Sequence, residues 1–278
     1  MDRSNIIRRI IIALIIAAIG FGIYMCQVEK NPVTGEKQHV SLSPEQEIRL
    51  GIESAGRMSY EMGGDIPESD PRTRIVKNLG ARLVNTKIAQ NSPWGFNFHL
   101  LADPQTVNAF ALPGGQIFIT LGLFDKLNNE AELAGVLGHE MGHVIERHAA
   151  QQMAKNQLGQ TMVVAVGTAA SDRRNSAAVI AAFVNQIIQL RYGRQDESES
   201  DEWGLRLTEE AGFDPRAMVH VMQILKAQSR GGYTPQIFQS HPNPDLRIKQ
   251  IQNYLAKHVP ASNLSNGRNL RDLIRENY

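Results

Sequence analysis

Cysteine occurs once in the 278 residues, as Cys26. A single thiol excludes an intramolecular disulfide framework and a zinc site built on cysteines. Neither sign of charge is in excess, since 29 Lys and Arg against 28 Asp and Glu leave a net charge of +1. Aromatic residues amount to 6%, and no basic stripe interleaves with them, which excludes a nucleic-acid partner. Long apolar runs are scarce. Residues 161–170 and 177–184 are uncharged but too short to span a bilayer as helices. They read as core helices, or as a mobile hairpin over a cleft, split by residues 171–176. What is present is ordinary for a globular chain: 42% hydrophobic residues and a length that suits one large or two small domains.

The N-terminus stands apart. Arg3, Arg8 and Arg9 precede residues 10–26, a 17-residue stretch without a charge at the short end of what crosses a bilayer. Basic residues ahead of it favour a cytoplasmic N-terminus with the remainder translocated. An uncleaved membrane anchor is the favoured reading. A cleaved signal peptide and lipidation at Cys26 stay open, although Ile23-Tyr24-Met25 matches a lipoprotein signal poorly. The expected division is therefore an anchor or signal over 1–26, a linker with a turn over 27–42, and one domain over 43–278. That domain would be tethered to a membrane outside the cytoplasm, on the periplasmic face in a Gram-negative cell.

Within the domain, Ser43-Pro44-Glu45-Gln46 combines an N-cap, a first-turn proline and a capping-box glutamine, which predicts a helix over 44–62 stopped by Gly63-Gly64. Asp70-Pro71 starts a second, whose apolar spacing runs to about residue 90. Residues 96–101 alternate as a strand, on whose face His99 sits without ligating. Asn108-Ala109-Phe110-Ala111-Leu112-Pro113-Gly114-Gly115 and residues 116–120 read as two strands about a tight turn. They form a plain hairpin, or one whose free edge takes an extended peptide; spacing does not choose.

The chemistry is concentrated in one helix, predicted from Asn129 to about residue 155. His139-Glu140-Met141-Gly142-His143 puts two imidazoles four residues apart, about 40° apart around the axis and one turn above each other. Both can grip one Zn²⁺, while Glu140 stands about 100° away, placed to reach an attacking water rather than to ligate. Two histidines and a glutamate in an apolar helix are also costly to bury without a partner. His148 falls about 140° round from His143 and should not reach the same metal. The metzincin extension is missing, because Glu146 and Ala149 stand where its glycine and third histidine would be. Ala131, Gly135, Gly138, Gly142 and Ala149 share a band of about 60°, and glycine there predicts a closely packed neighbouring backbone.

The third ligand must come from elsewhere, and Tyr192-Gly193-Arg194-Gln195-Asp196-Glu197-Ser198-Glu199-Ser200-Asp201 is its best source. On a helix Glu197 and Asp201 share a face and Glu199 points away. Glu197 can complete a His₂Glu set and Asp201 can orient a ligating imidazole. A solvated acidic helix start accounts for the same residues.

Taken in order, Asn108 to Gly115, Ala131 to His143, and Glu197 with Asp201 resemble the HtpX/CAAX-prenyl-protease-type zinc metallopeptidases, most of all their compact periplasmic BepA-like branch. Ala211-Gly212-Phe213-Asp214-Pro215 and His241-Pro242-Asn243-Pro244 with Arg247 match as well. The resemblance covers roughly residues 31–255. It implies an α+β, zincin-like (gluzincin) domain, mostly helical, with a short sheet beside the HExxH helix. It implies one Zn²⁺ on His139, His143 and Glu197, Glu140 as general base, Asp201 behind the ligands, and His241 as a catalytic residue that approaches the metal, controls access and helps stabilise the oxyanion. The other reading of His241 is a structural histidine ahead of a final helix capped at Asn243-Pro244. Asn108, Ala109, Phe110 and Ala111 match the substrate-binding edge strand. The implied activity is a membrane-tethered zinc endopeptidase acting on unfolded or extended polypeptide, in quality control of misfolded or misassembled envelope proteins. The alternative is a zinc-stabilised binding or chaperone module with a latent site. Two departures count: too little chain follows residue 255 for a helical-repeat domain, and further transmembrane segments that would build an intramembrane cavity are missing.

Overall fold

The computed structural model describes residues 3–166, 176–229, 235–242 and 244–276. The chain opens with α1 (Arg3–Cys26), β1 (Val28–Lys30) and β2 (Lys37–His39). The two strands pair antiparallel, Val28 opposite His39, so the stretch expected as a linker is a short hairpin. It is anchored rather than loose. Asn31 donates to the Ile145 carbonyl at 2.8 Å and Gln38 to the Glu146 carbonyl at 3.0 Å, satisfying acceptors that a helix end leaves open.

The helix α2 (Pro44–Glu61) follows the capping signal as expected: the Ser43 hydroxyl accepts from the Gln46 amide and the Gln46 side chain from the Ser43 amide. The second predicted helix is divided into α3 (Pro71–Val84), capped by Asp70, and α4 (Lys87–Gln90), capped by Thr86. Then come β3 (Asn97–Leu101), β4 (Ala109–Leu112), β5 (Gln116–Thr120) and α5 (Leu121–Phe124). The central β5 runs parallel to β3 and antiparallel to β4. Period-two alternation then sorts the side chains. Phe98, Leu100, Ala109, Ala111, Ile117 and Ile119 join the main core, whereas Leu101, Leu112 and Phe118 join a second cluster with Met58, Phe183 and Ile187. Across that second face, His99, Phe118 and Phe110 stack at 4.5 and 4.9 Å. At the hairpin turn Gly114 has φ +84°, and a Cβ there would lie 2.4 Å from the Ile48 Cα. Only glycine lets α2 come this close.

The remaining helices are α6 (Glu130–Ile145), α7 (His148–Val166), α8 (Ser176–Ile188), α9 (Arg194–Glu210), α10 (Ala217–Gln228), α11 (Ile237–Ser240), α12 (Pro244–Lys257) and α13 (Leu270–Glu276). The single helix expected from Asn129 to about residue 155 is thus two. Arg147, between them, has φ +58°, a left-handed conformation that costs a non-glycine residue about 1–3 kcal/mol. Its side chain, 0% exposed, repays this by pairing with Glu47 at 2.7 Å and Glu29 at 2.8 Å, and by donating to the Leu42 carbonyl at 2.6 Å. Asn129 caps α6 through the Glu132 amide, as expected. Of the two short apolar runs, Phe183 and Val184 are buried under the sheet; residues 167–175 lie outside the described residues. No helix among the described residues is long and apolar enough to cross a membrane. The helix α1 does expose Ile11, Leu14, Ile15, Ile19, Phe21 and Ile23.

The glycine face of α6 meets a backbone, as expected. A Cβ at Gly138 would lie 3.2 Å from the Gly204 carbonyl oxygen, and one at Gly142 would lie 2.9 Å from the Ser200 Cα and O. Gly135 faces Met218 of α10 instead, and Ala149, beyond the Arg147 turn, belongs to α7. Alanine normally favours a helix interior over glycine, but here the sign reverses. Gly142→Ala is expected to destabilise by about 1–3 kcal/mol through overpacking. In contrast Gly56→Ala, exposed in α2 with nothing within 4 Å, should stabilise by up to about 1 kcal/mol. Urea unfolding of the two variants measures both signs.

Candidate metal centre

Close packing of α6 on α9 brings the two halves of the site together. His139 and His143 descend from α6 with their Nε2 atoms 3.1 Å apart. Glu197, one turn into α9, lies 3.7 Å from each of those nitrogens through its two carboxylate oxygens. From the end of α11, His241 inserts its Nδ1 2.9 Å from Glu197 Oε1 and 3.4 Å from His139 Nε2. One ligand atom from each of His139, His143, Glu197 and His241 falls within 4.8 Å of all the others, and all four residues are buried. This group could hold one metal ion. Glu140 is not part of it. Its Oε1 stands 3.8 Å from His241 Nε2, and both its Oε2 and that Nε2 are buried without a hydrogen-bond partner.

Behind the group, carboxylates and a guanidinium hold the orientation. His139 donates through Nδ1 to Asp201 Oδ1 at 3.0 Å, which leaves Nε2 facing the centre. Arg247 of α12 reaches Asp201 at 2.5 Å and Glu197 at 2.7 Å. Burial works against charge on Asp201, but Arg247 and His139 outweigh it and hold the carboxyl at about 2. Glu197 is likewise kept below its ordinary value, because His241 and Arg247 overcome desolvation. Burial, reinforced by the neighbouring imidazoles, drives the His143 pKa far down, so this ring is neutral, as ligation requires. Burial raises the Glu140 carboxyl. For His241 burial opposes the proton, yet the facing Glu197 and Glu140 win and raise its pKa.

The edge residues sit alongside. Ala111 of β4 lines the same small cavity as His143 and Tyr192. Within the three-stranded sheet β4 pairs with β5 alone, so its other edge has no strand partner among the described residues. Ala109 and Ala111 face the core, whereas Phe110 is half-buried at a cavity of about 430 Å³ that Asn108, Met58, Met62, Ile187 and Leu190 also line. His99 is elsewhere, 3.1 Å from Gln116 and stacked on Phe118; it is the strand-face histidine expected.

Sequence reasoning overlooked three parts of this site. Arg247 was matched but given no role, since its partner Asp201 lies 46 residues away in sequence. Tyr192 stacks on the His143 ring at a centroid distance of 3.9 Å. His148 stays outside the metal group, as expected, but it touches His143 from behind with a 3.0 Å Nδ1–Nδ1 contact, because the chain turns at Arg147. Glu199, expected to point away, meets His148 at 3.0 Å. Asn243 lies outside the described residues.

The family model for Peptidase family M48 matches residues 71–255. The beta-barrel assembly-enhancing protease of Escherichia coli (strain K12) is 29% identical over 302 residues, covering 97% of this chain and 61% of the relative. That of Yersinia pestis is 33% identical over 232 residues, 80% of this chain and 46% of the relative. The mitochondrial metalloendopeptidase OMA1 of Schizosaccharomyces pombe is 28% identical over 234 residues, 84% and 68% respectively. The chain therefore spans about three fifths of the Escherichia coli relative, or less than half of the Yersinia pestis one.

Proposed function

The chain belongs to peptidase family M48, and on that footing we propose that it is a membrane-tethered zinc endopeptidase. The observation that carries the proposal is the buried set of His139, His143 and Glu197, with Glu140 beside it and bound to none of them. Two imidazole nitrogens and a carboxylate oxygen, with a fourth position for water or substrate, are a hydrolytic zinc donor set. The neutral His143 and the inward-facing Nε2 of His139 fit the same ion. When bound, Zn²⁺ polarises a peptide carbonyl and acidifies water. Glu140 takes the proton of the attacking water and returns it to the leaving amine. Asp201 keeps His139 in its ligating tautomer. Peptide added to the free edge of β4, along Asn108, Ala109, Phe110 and Ala111, is gripped mainly through its backbone, which makes recognition broad.

The relatives' name points to substrates among proteins that assemble into β-barrels, hence to misfolded or misassembled envelope proteins on the periplasmic face. The exposed apolar side chains of α1 support tethering through residues 1–26, uncleaved or lipidated at Cys26. The domain proper is proposed as 43–278.

His241 in its present position closes the centre, with Nδ1 against Glu197, and this favours a second reading: a binding or chaperone module whose site is latent. Hydrolysis of a reduced, unfolded protein by the zinc-loaded chain separates the two. The His241→Ala variant is expected to cleave at least as fast as wild type, about tenfold faster where closure limits turnover. Absence of cleavage by either protein, with binding of the unfolded protein retained, would leave the module reading standing.

A further inference from the structure

His139 has a carboxylate directly behind it, but His143 does not. What stands behind His143 is a second histidine, and the hydrogen bonds around it can be assigned from one end. The Glu199 carboxylate only accepts, so His148 Nε2, 3.0 Å away, is the donor. A neutral imidazole that donates through Nε2 has a bare Nδ1. That nitrogen lies 3.0 Å from His143 Nδ1 and 3.2 Å from the Ser200 hydroxyl. His143 must then be the donor through Nδ1, which leaves its Nε2 bare and facing His139 and Glu197. His143 and His148 are each 1% exposed at the side chain, whereas Glu199 is 33% exposed. The chain of contacts thus runs from the buried centre to the surface of α9.

We propose that His148, backed by Glu199, is the positioning residue that fixes His143 as an Nε2 ligand, the counterpart of Asp201 behind His139. This rests on the proposed zinc reading of the site. It depends on the left-handed turn at Arg147, without which His148 would face away on a continuous helix. His148, Asp196 and Glu199 lie close enough together to suggest a second cation site. Their hydrogen bonds account for them otherwise. Asp196 Oδ2 accepts from the Gly193 amide and from Gln152, both at 2.9 Å, and His148 is engaged on both nitrogens.

Groups behind a metal ligand change affinity by about 10–100-fold when removed. Zinc dissociation constants, measured by competition with a chromophoric chelator, are therefore expected to rise about 10–100-fold in His148→Leu. His148→Asn offers an oxygen where Nδ1 was and should recover most of that loss, which a purely structural role would not do. Glu199→Ala, at the surface and benign for folding, should weaken zinc by a smaller factor, about tenfold, at the lower end of that range. Cobalt-loaded His148→Leu should show altered d–d absorption, with His148→Asn closer to wild type. Wild-type affinity in both His148→Leu and Glu199→Ala would overturn the role of the pair while leaving the zinc site intact. Should the wild-type chain bind no zinc, and His143→Ala change nothing, the site reading and this inference fail together.

Discussion

Glu140→Gln is expected to lower kcat/KM for an unfolded-protein substrate by about 10²–10⁴-fold, equivalent to about 3–5 kcal/mol of transition-state stabilisation, while zinc content stays at one per chain. The two halves of that expectation have separate physical grounds. Zinc is retained because Glu140 is outside the group whose ligand atoms converge, and Gln conserves its shape. Hydrolysis is lost because the amide can neither take a proton from water nor return one to the leaving nitrogen. The carboxylate is well placed for both: it is buried beside the group, with Oε1 3.8 Å from His241 Nε2. Burial raises its pKa from the ordinary value, which strengthens it as a base and confines its activity to pH above that raised value. The activity of wild type should accordingly fall on acidification. Zinc analysis beside a proteolysis assay decides the matter. Undiminished cleavage by Glu140→Gln would remove the residue from the mechanism, and loss of zinc in the variant would make it a ligand instead.

Removing Arg247 should have the largest effect on the fold. Arg247 is 3% exposed and lies between two carboxylates, Asp201 at 4% and Glu197 at 2%. Breaking a buried ion pair by deleting one partner costs about 3–5 kcal/mol, because the remaining charge keeps its desolvation penalty. In Arg247→Met two such charges are left, so the metal-free variant should lose at least the lower of those values in urea unfolding at neutral pH. Lysine is a poor replacement, since one ammonium cannot fork between both carboxylates. The pH dependence carries its own sign. Asp201 is held at about 2 in the native protein, below its ordinary 3.8. Its contribution is therefore present above about pH 4 and lost as pH falls toward 2. In the variant that depression is relieved, and protonation of the two stranded carboxyls should stabilise it. Wild type loses stability on going from pH 7 to 3, whereas the difference between the proteins should narrow. A constant difference over that range would show that the two carboxylates are not what Arg247 holds.

The parts of the molecule that could be read in advance share one property, which is short separation along the chain. The capping box at Ser43, the Asn129 cap, the His139–His143 spacing and the Glu197–Asp201 spacing are each set within one helical turn, where local geometry leaves few choices. The glycines on α6 were legible for a related reason: their cost in a helix asks for a compensating contact, which α9 supplies at Gly138 and Gly142. The errors cluster where local signals are overruled from a distance. Nothing about an arginine at position 147 announces a left-handed residue, and the turn exists because Glu29, Glu47 and the Leu42 carbonyl converge on its side chain. Two of those partners, Glu29 and the Leu42 carbonyl, also tie down residues 27–42, the stretch read as a linker with a turn.

By itself, then, the sequence determined the two imidazoles on one helix face, the glutamate between them, a second helix offering Glu197 and Asp201, and the strands beside them. All of these follow from backbone periodicity. Only the tertiary structure decided that α9 lies against the glycine face of α6, that Arg247 bridges Asp201 and Glu197, that His241 faces Glu197, and that His148 backs His143. Such pairings join residues tens to a hundred positions apart, or cross a break in a helix, and no local spacing encodes them. They are chosen by how much apolar surface the packed helices bury and by the need of each buried charge for a partner.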